Sequence, residues 1–294
     1  MKSIINILNE TNALVTPELE RILKTPSPEL DPLYSAMRYS ALSGGKRIRP
    51  LLVLEFCRLF GGNDKDAISL ACAIELVHAS SLVHDDMPCM DNDDYRRGRL
   101  TCHKVYGEDI ALLCGDALIT KGYETAARSA LDPREAIEAV RLILSMAGGE
   151  GMMGGQNVDL VSEGKSISFD MLLRMHEMKT GALIRAACGL GCIAAHVMPD
   201  DERFLAAMSY ASGIGLAFQI IDDVLDVTGD AKELGKGVHA DAALNKTTFL
   251  SFMSVDEARE YAKKETDKAI GAISAYENSE ELCRLAEFLL TRNK

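Results

Sequence analysis

Two long segments, residues 168–197 and 201–227, are apolar on most sides, and the need to bury them constrains the fold more than any other feature. A helix that is hydrophobic all round must sit inside a large helical assembly rather than on its surface. Ala, Leu, Met, Glu and Lys are plentiful, while period-two runs of β-branched and aromatic residues between hairpin turns are hard to find. A third buried helix is expected over 67–84, where Leu70, Ile74, Val77 and Ser81 recur at helical spacing. Further helices are expected over 32–43, 50–60, 108–130, 134–147, 256–276 and 279–291, separated by Gly, Pro and Asp punctuation. At roughly 150 residues per domain a chain of this length would divide in two. No linker, repeat or change of composition marks a boundary, so the expected fold is all-α, a large single-domain helical bundle over residues 1–294.

The formal net charge of −12 argues against non-specific binding to nucleic acid or to an anionic membrane. Eight scattered cysteines with no C-x-x-C pair argue against a disulfide framework or a zinc site, and fit buried thiols in a cytoplasmic protein. The amino-terminal MKSIINILNE lacks a signal-peptide core. The longest weakly polar run, 186–197, is shorter than the roughly 20 residues of a membrane span, and no transmembrane segment is expected.

Two acidic clusters carry the chemistry. In residues 85–94, DDMPCMDNDD, five carboxylates fall within ten residues directly after the helix over 67–84, and Arg96 and Arg97 follow. Alone this reads first as a solvated helix cap or loop and second as ligands for Mg²⁺, which takes one or two carboxylates and completes its shell with water and phosphate oxygens. Pro88 is expected to bend the segment so that Asp85 and Asp91 face one cavity. In the second cluster, Gln219, Asp222, Asp223 and Asp226 share one face, because a residue advances about 100° around a helix. The flanking GIGLAF and VLDV are apolar, so this face belongs to a buried helix, where uncompensated carboxylates are costly. Metal ions and nearby cations supply the compensation.

Cations occur in separate segments: Lys46 and Arg49 after Gly44-Gly45, then Arg96, Arg97, Lys179, Lys236 and Lys246. Each alone is an ordinary surface charge, and no Walker loop or GxGxxG occurs. Together with two acidic clusters they describe a site for metal-bridged diphosphate. His78 precedes Asp85 by two helical turns on the same face, which favours a ligand over an ordinary core histidine. For Gln156 and Asp159, core hydrogen bonding and site lining stay equally open.

The motifs GGKRIRP at 44–50, DDMPCMDNDDYRRG at 85–98, GGQNVD at 154–159, KTG at 179–181, FQIIDDVLD at 218–226 and the lysines at 236 and 246 resemble the short-chain trans-isoprenyl diphosphate synthases. They occur in family order over about 200 residues. The resemblance implies an isoprenoid-synthase bundle with a central catalytic cavity, usually a homodimer, using three Mg²⁺ ions. It implies that Gly45, Lys46, Arg49, His78 and Arg97 hold isopentenyl diphosphate. Asp85 and Asp91, supported by Asp86, and Asp222, with Asp223 and Asp226, would serve the metals. Arg96, Lys179, Thr180, Gln219, Lys236 and Lys246 would grip the allylic diphosphate.

The reaction so implied is ionisation of an allylic diphosphate, attack by isopentenyl diphosphate and loss of a proton, giving farnesyl or geranylgeranyl diphosphate. By the same resemblance Ser81 and Ser80, four and five residues before Asp85, line the tail tunnel, and a small Ser80 favours twenty carbons over fifteen. The family often has Pro shortly after the second lysine motif; Lys246-Thr247-Thr248-Phe249-Leu250 lacks it, which leaves that loop's path open. The tail at 292–294 either closes over the isopentenyl site or frays. A class I terpene cyclase would lack GGKRIRP and a second DDxxD, and a non-catalytic regulatory subunit would show degraded aspartate motifs; neither pattern is present.

Overall fold

The computed structural model describes residues 3–228 and 246–292. Thirteen α-helices are described: α1 (Ile4–Ile22), α2 (Asp31–Ala41), α3 (Ile48–Leu59), α4 (Asp64–Asp85), α5 (Cys102–Tyr106), α6 (Glu108–Ala127), α7 (Pro133–Ala147), α8 (Met152–Ser162), α9 (Phe169–His176), α10 (Ala182–Ala194), α11 (Glu202–Thr228), α12 (Val255–Ile273) and α13 (Glu280–Thr291). The only sheet among the described residues is a two-residue antiparallel hairpin, β1 (Tyr95–Arg96) with β2 (Arg99–Leu100).

The centre is made by α3, α4 and α10, which pack on one another. Every residue of α10 except Arg185 is buried, as its all-round apolar sequence requires. Glycines let these helices approach: a Cβ on Gly191 would lie 2.5 Å from the Val53 carbonyl oxygen on α3. By length and composition α4 and α11 could each cross a membrane, which the run at 186–197 did not reveal. Both are packed inside the bundle, and burial in protein accounts for their apolarity.

All nine segments expected as helices are helical. The segment over 168–197 is broken, however, by one π-helical turn, Glu177–Gly181, between α9 and α10. Such turns widen the backbone spiral and recur at functional sites, and this one carries Lys179 and Thr180. Three helices were not expected: α1, α5 and α8. Pro88 does not bend a helix. Instead α4 ends at Asp85, and the chain folds back so that the Asp91 backbone N–H donates to the Asp85 carbonyl at 2.9 Å. Six cysteines are buried and only Cys89, in the acidic loop, is exposed.

Candidate active site

The site is assembled where the ends of α4 and α8, the π-helical turn and α11 meet. A cavity of about 400 Å³ lies there, lined in part by Arg49, His78, Ser80, Ser81, Asp85 and Lys179. A larger depression of about 580 Å³ between Pro133, Ile137, Arg141 and Pro199 contains none of the motif residues.

The GGKRIRP segment separates its cations by conformation. Arg47 stands at the N-cap of α3 in the left-handed region, and its guanidinium turns inward, donating to buried Glu75 and to the Ala41 carbonyl at 2.8 Å. Arg49, two residues on and so about 200° around the helix, reaches the cavity. Burial lowers its pKa to about 10, so it remains charged at neutral pH. Arg97 at the hairpin turn lies over Gly45, where a Cβ would fall 2.6 Å from its guanidinium carbon, and donates to the Gly44 carbonyl. Lys46 lies over the ring of Phe288 on α13 at 5.6 Å. Burial, reinforced by Arg49 and Arg97, drives His78 well below its ordinary pKa. His78 is therefore a neutral hydrogen-bonding group beside two guanidinium ions.

Asp85 is half-buried on the cavity wall. Burial raises its pKa; Lys179 opposes this, and Asp91 adds to it. Asp86 was expected in support of the metal ligands. It is buried and accepts from Arg96 Nε and Nη2, each at 2.6 Å, so it holds Arg96 in place. Asp94 is exposed and pairs with Lys104 at 2.7 Å.

The sequence left the roles of Gln156 and Asp159 open; Gln156 lines the cavity, and Asp159 binds the lysines. Its Oδ2 accepts from Lys179 Nζ at 2.6 Å and from Lys246 Nζ at 3.4 Å. Burial pushes this carboxyl up, but the two lysines outweigh it and hold the pKa below the ordinary value. The lysines of two distant motifs are thus fixed by one carboxylate. The glycines of GGQNVD allow it: a Cβ on Gly155 would lie 2.2 Å from the Lys179 backbone nitrogen.

The second acidic cluster is divided by its contacts. Among the described residues, Asp222, Asp223 and Asp226 do not line the cavity, although both clusters were expected to face it. Asp222 accepts from Gln219 Nε2 at 3.1 Å and from Arg292 Nη2 at 2.6 Å. Asp223 is turned the other way, into the protein, where it accepts the Phe249 backbone N–H at 2.8 Å. That bond, with the Lys246 contacts to α8, fixes the loop that lacks the family's proline. Asp226 lies one turn further along α11, part-exposed. Arg292 was expected over the isopentenyl site or frayed; instead it caps Asp222 and stacks on Phe218 at 3.8 Å. Lys236 and residues 293–294 lie outside the described residues.

The donors are carboxylates, which suit a hard divalent cation. Among the described residues no three His, Cys, Asp or Glu side chains converge on one point. Mg²⁺ does not require that, because water and phosphate oxygens complete its shell.

The fold and this arrangement of carboxylates and cations define an all-α diphosphate-handling enzyme. The polyprenyl synthetase family model matches residues 31–288. The geranylgeranyl diphosphate synthase of Cyanophora paradoxa is 41% identical over 298 residues, covering 99% of this chain and 97% of that protein. A heterodimeric geranylgeranyl pyrophosphate synthase large subunit of Arabidopsis thaliana is 39% identical, covering 93% and 76%. The solved geranylgeranyl pyrophosphate synthetase of Pyrococcus horikoshii superposes with a TM-score of 0.88 at 32% identity, covering 98% of each chain. The chain belongs to the polyprenyl synthetase family. It is a prenyltransferase of the chain-elongating kind.

Proposed function

We propose that the chain, acting as one domain in a cytoplasmic homodimer, condenses isopentenyl diphosphate with five-, ten- and fifteen-carbon allylic diphosphates to give all-trans geranylgeranyl diphosphate. The observation that carries this reading is the cavity that joins Asp85, Arg49 and Lys179 to a wall containing Ser80, Ser81, Met152 and Leu160. One wall therefore suits a multiply charged head and an apolar tail. Leu112 and Leu113, about half exposed on α6, support pairing with a second copy, which light scattering would test.

Asp85 and Asp91 would hold Mg²⁺ on the allylic diphosphate, and Asp222 with Asp226 a further ion. Bound Mg²⁺ supplies neutralisation of the charge that builds on a departing diphosphate. Lys179, Thr180, Lys246 and Arg96 hold that diphosphate from the protein side, and Lys236 is assigned to it by its sequence motif alone. The pre-set positions of Lys179, Lys246 and Arg96, fixed by Asp159 and Asp86, mean that little reorganisation accompanies bond cleavage. Lys46, Arg49, Arg97 and His78 hold the second diphosphate, so the isopentenyl double bond lies next to the allylic carbon. Leu82, Met90, Met152, Met153 and Leu160 supply the apolar part of the wall, which limits the water that would quench a cation. The proton lost from the condensed product passes to the released diphosphate.

The test is to incubate purified protein with isopentenyl diphosphate, Mg²⁺ and each allylic diphosphate, then size the products. Twenty-carbon product from all three is expected, and no condensation with any rejects the reading. The Arg292–Asp222 pair gives a second expected result. Arg292→Gln should tighten Mn²⁺ binding about 3–10-fold in the absence of substrate, read by electron paramagnetic resonance, because it removes a cation that competes for the carboxylate. Unchanged or weaker binding would contradict that competition.

A further inference from the structure

His176 closes α9 one residue before the π-helical turn and belongs to none of the sequence motifs. It is half-buried, and its ring stacks on Phe249, with centroids 5.3 Å apart and planes 17° from parallel. Its Nδ1 lies 3.1 Å from Gln219 Oε1, and Thr180 Oγ1 donates to the same oxygen at 2.9 Å. The other end of that amide, Gln219 Nε2, donates to Asp222 Oδ2 at 3.1 Å.

These contacts permit only one protonation pattern. Asp222 is an acceptor, so the amide must turn its NH₂ towards it; the reverse rotamer would set a carbonyl against a carboxylate. Gln219 Oε1 then faces Nδ1, which must carry the hydrogen. His176 Nε2 is buried without a hydrogen-bond partner, consistent with a neutral ring that has no second proton to satisfy. Burial also lowers the pKa of the ring to about 4.

From this geometry we infer that His176 is a positioning residue: through its Nδ1–H it fixes the Gln219 amide, which in turn holds Asp222 in the orientation required for its metal. The inference rests on the proposed role of Asp222 as a metal ligand. Asp223 extends the arrangement, because it holds the Phe249 backbone and so places the ring on which His176 stacks. The two adjacent aspartates of α11 then act on one site, Asp222 directly and Asp223 through Phe249, His176 and Gln219.

The test compares His176→Phe, which keeps a ring for stacking but removes the donor, with His176→Asn, whose amide NH₂ occupies the position of Nδ1. Each full-length variant is titrated with Mn²⁺ in the presence of inorganic diphosphate, read by electron paramagnetic resonance, alongside its melting temperature. His176→Phe should weaken one Mn²⁺ by about 3–10-fold and raise the Mg²⁺ concentration for half-maximal rate in proportion, with His176→Asn restoring both to within about 2-fold. In the Gln219→Leu background His176→Phe should add nothing, since the link is already cut. His176→Leu serves as a second truncation should the Phe variant fold poorly. Equal Mn²⁺ binding in wild type and truncations, failure of Asn to rescue, or additive effects with Gln219→Leu would overturn the inference. Asp222→Ala separates the two claims: full Mn²⁺ stoichiometry in that variant would overturn the ligand assignment and the inference with it. Loss of one ion, with the His176 truncations unaffected, would overturn the inference alone.

Discussion

Asp85→Asn is expected to lower kcat by about 10²–10³, the magnitude seen when one pre-set electrostatic stabiliser is removed, while the metal-free protein becomes no less stable at neutral pH. The two effects have one origin. Asp85 is a carboxylate held half-buried, beside Asp86 and Asp91, and burial raises its pKa. A carboxyl whose folded pKa exceeds its unfolded value takes up protons on folding. Its ionisation therefore weakens the fold as pH rises from the ordinary carboxylate value through the raised one. Asparagine keeps the shape and removes the ionisation. The melting temperature of Asp85→Asn relative to wild type, measured with chelator, should therefore increase from pH 4 to pH 8. A variant within tenfold of wild-type activity, or one whose relative stability falls with pH, would remove Asp85 from the role proposed for it. The same protein with Mg²⁺ and diphosphate should reverse the order, because ligands that bind only the native state stabilise it by mass action.

Much of this was legible in the sequence, and what was not has identifiable physical causes. Helix α10 could be read because burial on every side leaves a continuous apolar run. Helix α8 was obscured by Gly154 and Gly155, poor helix formers whose presence is explained only by the backbone they approach. A Cβ on Gly155 would lie 2.2 Å from the Lys179 backbone nitrogen, a long-range fact that no local pattern contains. Helix α1 did carry a signal: Ile4, Ile7, Thr11, Val15, Leu19 and Ile22 fall at helical spacing, although Pro17 interrupts the pattern. The aspartates of α11 mark the limit of wheel arithmetic. Asp222 and Asp223 share a broad face, but the 100° between them sends one towards Gln219 and Arg292 and the other to a loop 26 residues further along the chain. Only the tertiary partner decides that difference. The same holds for Arg47 and Arg49, which read alike as cations until Glu75 claims the first.

Ser80 offers the largest change in outcome from a single side chain. It is buried on α4, 2% exposed, and lines the cavity together with Ser81, whose hydroxyl is tied back to the His78 carbonyl at 2.9 Å. Overpacking a filled core ordinarily costs about 1–3 kcal/mol; here the ring of Ser80→Tyr has a void to enter, so folding should be largely kept. The ring would then take space that the last isoprene unit needs. Five carbons that lose burial forfeit about 0.8 kcal/mol each, roughly 4 kcal/mol in all, or about 10³ in the relative rate of the final elongation. Geranylgeranyl diphosphate should accordingly fall from the main product to a trace, with farnesyl diphosphate replacing it and the ten-to-fifteen-carbon step retained. Ser80→Val, adding less volume, should give a mixture. Chromatography of dephosphorylated products reads both variants. A folded Ser80→Tyr protein that still stops at twenty carbons would mean the tail runs past another wall, and Ser80 would cease to be the residue that sets product length.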